Sequence, residues 1–353
     1  MIKDILKYAI NAPSGNSSQP WKFKLEGEKI YIFNVPDDDI TPYNFDQKGS
    51  YLAHGALIEN LSIIASKYGY QMKTELFPDE NQPNNTAIVA LEKRILQEDP
   101  LFDQILNRAT NRRTYKKAQL KLEHKAEILE TEAEVAGGGK IKLIESHDKM
   151  EKLAKALGLH ERLIFENKMI HNIVFSKILW SEKEHSEKRK GLYIKTKFPD
   201  LPSFLLPLMR PFGSWSFVQI INKIGLSDKI HKQSAESCIS SSALCAILVD
   251  SGTNKNFLMA GRLLQRIWLK AAKLNLSIQP VTGIPYLARC ILAGETRGFS
   301  IEQMELIKGS NEVINNIFEA GNKIIVMICR IGYDDKPPVK TLKLPPDIVV
   351  VSD

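Results

Sequence analysis

GALIENLSIIASKYG, from Gly55 to Gly69, and GRLLQRIWLKAAKLN, from Gly261 to Asn275, read as two long helices that match at a constant offset. Gly55, Leu57, Leu61, Ala65 and Lys67 align with Gly261, Leu263, Ile267, Ala271 and Lys273, while Glu59 meets Gln265 and Ile63 meets Leu269. Any two buried helices share apolar periodicity, so the Leu-for-Ile matches alone carry little. Coincident Gly, Ala and Lys positions ask for more, and they point to an internal duplication. Tyr51 to Tyr68 is apolar almost all round, with small residues at Ala53, Gly55, Ala56 and Ala65, which predicts a core helix closely approached by its neighbours.

The repeat extends backwards with an asymmetry. APSGNSSQPWKFKLE precedes the first helix, whereas the corresponding stretch of the second half reads only AGGGKIKLIE. If both halves descend from one unit, the second has lost its polar loop, and one ligand site rather than two follows. At 353 residues the chain suggests about two structural units. They are expected at 1–100 and 101–353.

Around the paired helices, the sequence predicts an N-terminal helix (about Ile2 to Ile10) and a hairpin of KFKL and KIYIF about Glu26-Gly27-Glu28. A strand is expected at Thr86 to Leu91, and Pro100 to Asn107 opens a helix. The second half offers a helix near Glu123 to Val135, a turn at Gly137 to Gly139 and strands at Lys140 to Ile144, Ala246 to Val249 and Lys323 to Arg330. Its long helix spans Asn256 to Leu274. Between Leu153 and Ser242 the chain reads as an irregular, lid-like insertion. The tail, Lys336 to Asp353, reads as extended.

The hydrophobic share of 43% and charged share of 25% are those of an ordinary globular protein. A net charge of +7 favours anionic ligands. Basic residues alternate with acids, as in KEHSEKRK (Lys183 to Lys190), which suits a solvated surface better than a nucleic-acid stripe. MIKDILKYAI has helical spacing rather than the apolar centre of a signal peptide, and Leu201 to Ile221 is broken by Pro202, Pro207, Arg210 and Pro211. Cys238, Cys245, Cys290 and Cys329 form neither a CxxC pair nor a zinc spacing, and read as reduced thiols. A cytoplasmic protein outside the membrane is the expectation.

Two motifs carry chemistry. Pro13-Ser14-Gly15-Asn16-Ser17-Ser18-Gln19-Pro20-Trp21 concentrates hydroxyls and amides between prolines, suited to reading a polar heteroaromatic edge, although the same residues suit a capped turn. Arg108-Ala109-Thr110-Asn111-Arg112 presents two guanidinium groups and a hydroxyl, a pattern suited to a phosphate clamp or to a solvated basic turn. His160-Glu161 does not continue into HExxH, no GxSxG or GxGxxG occurs, and no metal site or catalytic acid or base is assigned.

Together the two motifs resemble the FMN-dependent nitroreductase family, which carries R-x-S-x-R/K near its start and PSSxNxQPW shortly after. Here the order is reversed, as in the duplicated, single-chain branch similar to the mycobacterial Acg-type proteins. The closing segment RIGYDDKPPVKTLKLPPDIV resembles the family's final stretch. The family asparagine of the loop aligns with Ser17, and Asn16 lies one place earlier.

The resemblance implies an α+β pseudo-dimer of two antiparallel sheets around central helices, binding one FMN. It assigns the loop (Pro13, Ser14, Asn16, Ser17, Gln19) and the arginine motif (Arg108, Thr110, Arg112) to the flavin. Lys340 and Lys343 stand where the family has arginines, and Thr282 and Gly283 stand beside the reactive flavin edge, where Gly283 would permit close approach. It implies NAD(P)H-dependent reduction of nitroaromatics, quinones or related small acceptors by a monomer or homodimer. Two other readings stay open: a flavin-sequestering protein covered by its insertion, and a scaffold without cofactor.

Overall fold

The computed structural model describes residues 1–94 and 97–351. Residues 352–353, the end of the expected tail, lie outside them. The first unit runs α1 (Ile2–Ala9), β1 (Trp21–Glu26), β2 (Lys29–Asn34), α2 (Lys48–Lys67), β3 (Tyr70–Leu76) and β4 (Asn85–Lys93). β1 and β2 pair antiparallel about Gly27, whose φ of 55° closes the expected hairpin.

The second unit begins with α3 (Leu122–Glu134) and β5 (Lys140–Ile144). A largely helical segment follows: α4 (His147–Glu166), α5 (Lys168–Ser176), β6 (Ile178–Leu179), α6 (Glu182–Lys188), β7 (Leu192–Tyr193), α7 (Ile194–Lys197), a 3-10 stretch (Ser203–Gly213), α8 (Trp215–Asn222) and α9 (Leu226–Ile239). The unit closes with β8 (Ala243–Val249), α10 (Asn254–Lys273), β9 (Leu276–Pro280), α11 (Gly283–Leu292), α12 (Ile301–Ile317), β10 (Ile324–Tyr333) and β11 (Ile348–Val350).

The two large sheets share one strand order. The first reads β11-β1-β2-β4-β3 and the second β5-β8-β10-β9, so without β11 each runs first, second, fourth, third. Their strands pair antiparallel except β11, which leaves the second unit and joins β1 in parallel. The fold is α+β, as the sequence implied.

α2 and α10 cross between the sheets, and neither glycine at the crossing has space for a Cβ. Beside them the buried Glu59 carboxylate is bonded by Arg262 at 3.0 Å and Arg266 at 2.7 Å, and Arg266 also holds Asp99 at 2.8 Å. Asn60 accepts from Gln265 Nε2 at 2.7 Å and donates to Ala9 O at 3.1 Å, which ties α1 to the helix pair. A buried acid between two arginines is tolerated because each polar atom finds a partner.

Three expectations are corrected. The segment 153–242 is not irregular: α4 and α9 bury a second apolar core that includes Leu153, Leu157, Leu163, Val218 and Cys238. Its periodicity was legible at Met150, Leu153, Ala154 and Leu157, the i, i+3, i+4, i+7 face of α4. Pro100 to Asn107 forms only a short 3-10 turn at Phe102–Gln104, where Asp99 accepts from Leu101 N and turns the chain locally. β3, β9, α11 and α12 add elements that the sequence reading passed over. All four cysteines are free and buried.

Candidate functional site

The loop between α1 and β1 is held in a costly backbone shape. Asn16, Ser17 and Gln19 all adopt positive φ, at 48°, 56° and 51°. Side chains with a Cβ lose about 1–2 kcal/mol per residue in that region, so the surroundings must impose it. They do so at several points. Ser14 Oγ accepts from Gln19 N at 3.0 Å, and Gln19 Nε2 donates to Arg189 O at 2.8 Å. Gln19 Oε1 accepts from Leu344 N at 2.9 Å. Gln19 thus fastens the loop to the insertion and to the tail. From the core, His54 Nε2 lies 2.8 Å from Pro20 O and Nδ1 2.8 Å from the Thr86 hydroxyl. Burial holds its pKa down to about 4, so the neutral ring donates through Nε2 and accepts at Nδ1.

Beneath this loop lie two cations with no acid. Arg108 stacks on the Trp268 ring at 4.7 Å and donates to Asn11 O at 3.1 Å, while its Nε is buried without a partner. Lys343, from the tail, reaches only Ser17 Oγ at 3.3 Å. Neither forms an ion pair with a carboxylate among the described residues. Burial lowers the pKa of Arg108 to about 10 and, with the nearby Arg108 charge, that of Lys343 to about 7. Both side chains are partly exposed by area yet lie deep within the fold.

The loop opens on a cavity of about 670 Å³, within the range of small-molecule sites. Pro13, Ser14, Asn16, Thr110, Arg112, Thr282 and Gly283 line it, so seven of the twelve sequence-assigned residues meet on one surface. Thr110 is placed by a bridge to Ile278 beside β9. Arg112 is 3.5 Å from Thr196 O, and burial lowers its pKa to about 10. Opposite stand residues to which the sequence assigns no role: Asp39, Tyr43, Glu161, Trp268 and the aromatic side chains of the insertion.

Tyr43 Oη and His160 Nε2 are 3.0 Å apart, His160 Nδ1 is 3.6 Å from Glu161, and Glu161 Oε2 is 3.0 Å from Lys197 Nζ. Lys197 and His160 hold the Glu161 carboxyl well below the usual carboxylate range against the cost of burial. No local pattern could have announced this chain, because its members come from distant segments.

The remaining assignments separate. Ser17 and Gln19 are buried in the bonds that fasten the loop and, like Arg108 and Lys343, do not line the cavity, and Lys340 is exposed and outside its lining. Arg108 and Arg112 find different partners rather than one shared fork. The Thr282 hydroxyl is spent on β10, donating to Ile328 O and accepting from Ile328 N. The space opened by the missing Cβ of Gly283 is filled by the His160 ring, whose Cδ2 would lie 2.2 Å from such an atom. Among the described residues no cluster of three or more His, Cys, Asp or Glu could hold a metal, and no helix is long and apolar enough to cross a membrane.

No protein-family model matches the chain. An uncharacterised Mycobacterium tuberculosis protein, MT1398, is 24% identical over 81% of this chain and 39% of its own length. Rv3131 of the same organism, provisionally named an NAD(P)H nitroreductase, is 24% identical over 32% of this chain and 34% of its own. Acg, also provisionally named an NAD(P)H nitroreductase, is 30% identical over 25% of this chain and 27% of its own. The matches therefore span less than half the length of each relative. A nitroreductase from Bacteroides fragilis, solved with bound FMN, overlays 70% of this chain and 94% of its own at a TM-score of 0.37 and 11% identity. By sequence, parts of the chain are thus similar to mycobacterial proteins provisionally named NAD(P)H nitroreductases.

Proposed function

We propose that the chain is an FMN-dependent oxidoreductase that takes electrons from NAD(P)H and passes them to a small acceptor such as a nitroaromatic or a quinone. One observation carries the reading: Arg108 and Lys343 lie close together within the fold, Lys343 on the Ser17 hydroxyl, and neither has an ion pair with a carboxylate among the described residues. Buried cations without a counter-ion cost several kcal/mol, and a phosphate monoester would supply both the charge and the acceptor that Arg108 Nε lacks. The residues fit the group. Arg108, Lys343 and Ser17 would hold the phosphate, and Pro13, Ser14, Asn16, Thr110 and Arg112 would line the remainder. Bound FMN would supply two-electron transfer, and the chain supplies position and electrostatics.

The shared strand order, the paired helices and the exchange of β11 support a reading of the two units as a duplicated pair enclosing one site. The purified protein is expected to retain FMN, seen as flavin absorbance, and Arg108→Ala with Lys343→Ala should release it. A colourless protein that does not quench added FMN would reject the reading.

A second reading, flavin sequestration, draws on the insertion, which walls the cavity and is tied to the loop through Gln19 and Arg189. Oxidation of NADH and NADPH with menadione or nitrofurazone separates the two. Bound flavin that stays oxidised under both donors would favour sequestration.

A further inference from the structure

α8 is apolar on both of its sides. Val218 is buried in the second core and Trp215 packs against it, while Phe217 and Ile220 face outward, joined by Ile224 from the turn that continues the helix. Positions 217, 220 and 224 are spaced i, i+3, i+7 and share one face. The 3-10 stretch before α8 repeats the arrangement: Leu206 is buried in a small core with Ile178, Tyr193 and Ile194, while Phe204 and Leu208 stand out. Phe212 meets Phe217 edge to face at 5.5 Å and joins the two elements. Phe204, Leu208, Ile220 and Ile224 are 77%, 67%, 66% and 76% exposed, so they project from the surface instead of filling one another's space. An ordinary surface helix turns charged residues to that side.

The charges around this face are of one sign. From Leu201 to Ser227 the sequence holds no Asp or Glu, and Arg210 and Lys223 are its only charges. Lys229 and Lys232 follow on α9, and Glu236, one turn further, is exposed. Lys223, Lys229 and Lys232 are exposed and form no ion pair among the described residues. Arg210 reaches Glu184 at 3.4 Å, and the flanking acids Asp200 and Asp228 lie beside Arg113 at 3.1 Å and Arg162 at 4.0 Å. The exposed polar residues between the apolar ones, Ser203, Ser214, Ser216 and Gln219, are uncharged.

Projecting apolar side chains, uncharged polar groups among them and flanking lysines are the composition of a segment that lies in a bilayer interface. A second copy meeting this face about a twofold axis would set the same lysines against each other. Pro207 and Pro211 interrupt the 3-10 stretch, which excludes a spanning helix and suits a segment lying flat.

We propose that residues 203–224 dock the protein on an anionic phospholipid bilayer. Phe204, Leu208, Phe217, Ile220 and Ile224 enter the boundary between headgroups and acyl chains, and Lys223, Lys229 and Lys232 meet the lipid phosphates. The docking is peripheral, and the rest of the chain stays outside the bilayer. The inference does not rest on the oxidoreductase reading, because none of these residues lines the cavity.

The test is sedimentation of the purified full-length protein with vesicles of phosphatidylcholine alone or mixed with phosphatidylglycerol. The protein is expected to bind the mixed vesicles at millimolar lipid and the neutral ones at least about tenfold more weakly, each lysine near an anionic surface contributing about fivefold. Ile220→Ser with Ile224→Ser should weaken binding to the mixed vesicles by about tenfold or more. Phe204→Ser with Leu208→Ser serves if that variant does not fold. Lys223→Gln, Lys229→Gln and Lys232→Gln together should bring the two vesicle types to within about threefold.

Protein that stays in the supernatant with mixed vesicles overturns the proposal, as does vesicle binding that ignores both apolar pairs. A solution dimer that the apolar pairs dissolve, without vesicle binding, also overturns it and gives the face to a second copy of the chain.

Discussion

Gly55 and Gly261 pack reciprocally. A Cβ on Gly55 would fall 1.8 Å from Leu258 O, three residues before Gly261, and a Cβ on Gly261 would fall 2.0 Å from Leu52 O, three residues before Gly55. A contact in which each partner meets the other's counterpart is the signature of a twofold-related interface, here within one chain. The duplication suggested by the sequence has a geometric partner in this crossing.

Both glycines should therefore resist substitution. Gly55→Ala or Gly261→Ala places a methyl group against backbone, which can move only by separating the helices, and a loss of about 3 kcal/mol is expected. Urea unfolding measures it. A loss below about 1 kcal/mol would mean that the crossing is looser than described.

Arg330 is a second fixed point. Its guanidinium stacks on Tyr115 at 3.9 Å and donates to Gln279 Oε1, Ser237 O and Arg113 O at 2.7, 3.0 and 2.6 Å. Arg330→Met keeps much of the volume and strands those acceptors, so about 3 kcal/mol of stability should go. Because Arg113 directly follows the arginine motif, FMN affinity should fall along with stability.

Anion binding should depend on pH through Lys343. Its pKa is pushed down to about 7 in the free protein, and a phosphate beside it would raise that value. Above pH 7 the free lysine must take up a proton to bind, so FMN affinity should fall between about pH 7 and 9, by at most roughly tenfold per unit. Lys343→Met should bind more weakly at pH 7 and lose most of this slope, whereas Lys340→Met should change neither. An unaltered slope in Lys343→Met would remove the lysine from the site.

His54 gives a pH dependence of opposite origin. Its folded pKa of about 4 lies below the unfolded 6.5, so its contribution to stability is complete above pH 6.5 and is lost as pH falls toward 4. The loss amounts to about 3 kcal/mol at most. His54→Gln should be less stable at pH 7 yet lose less on acidification from pH 6.5 to 4. The two stability curves, measured in urea, should converge at the acid end.

Much of the fold was legible because local patterns agreed with burial. The Glu26 to Glu28 turn, the apolar run of α2 and the small residues at its crossing state their structure directly. The insertion reads as irregular because Ser, Pro and His punctuate it, although the face of α4 at Met150, Leu153, Ala154 and Leu157 repeats regularly. The loop and the arginine motif stand out in the sequence because each is contiguous, and Lys343 enters only through the resemblance of the closing segment.

What the sequence by itself determined is the pair of long core helices, the first hairpin, and a polar loop that stands ahead of one core helix and not of the other. Tertiary structure alone decided that Arg108 and Lys343 are set together inside the fold without an ion pair among the described residues, while Lys340 stays on the surface. It also decided that Tyr43, His160, Glu161 and Lys197 line up along one cavity wall. The reason is physical: periodicity and turn chemistry act over a few residues, whereas burial, charge pairing and pKa depend on groups separated by hundreds of positions and brought together only by packing.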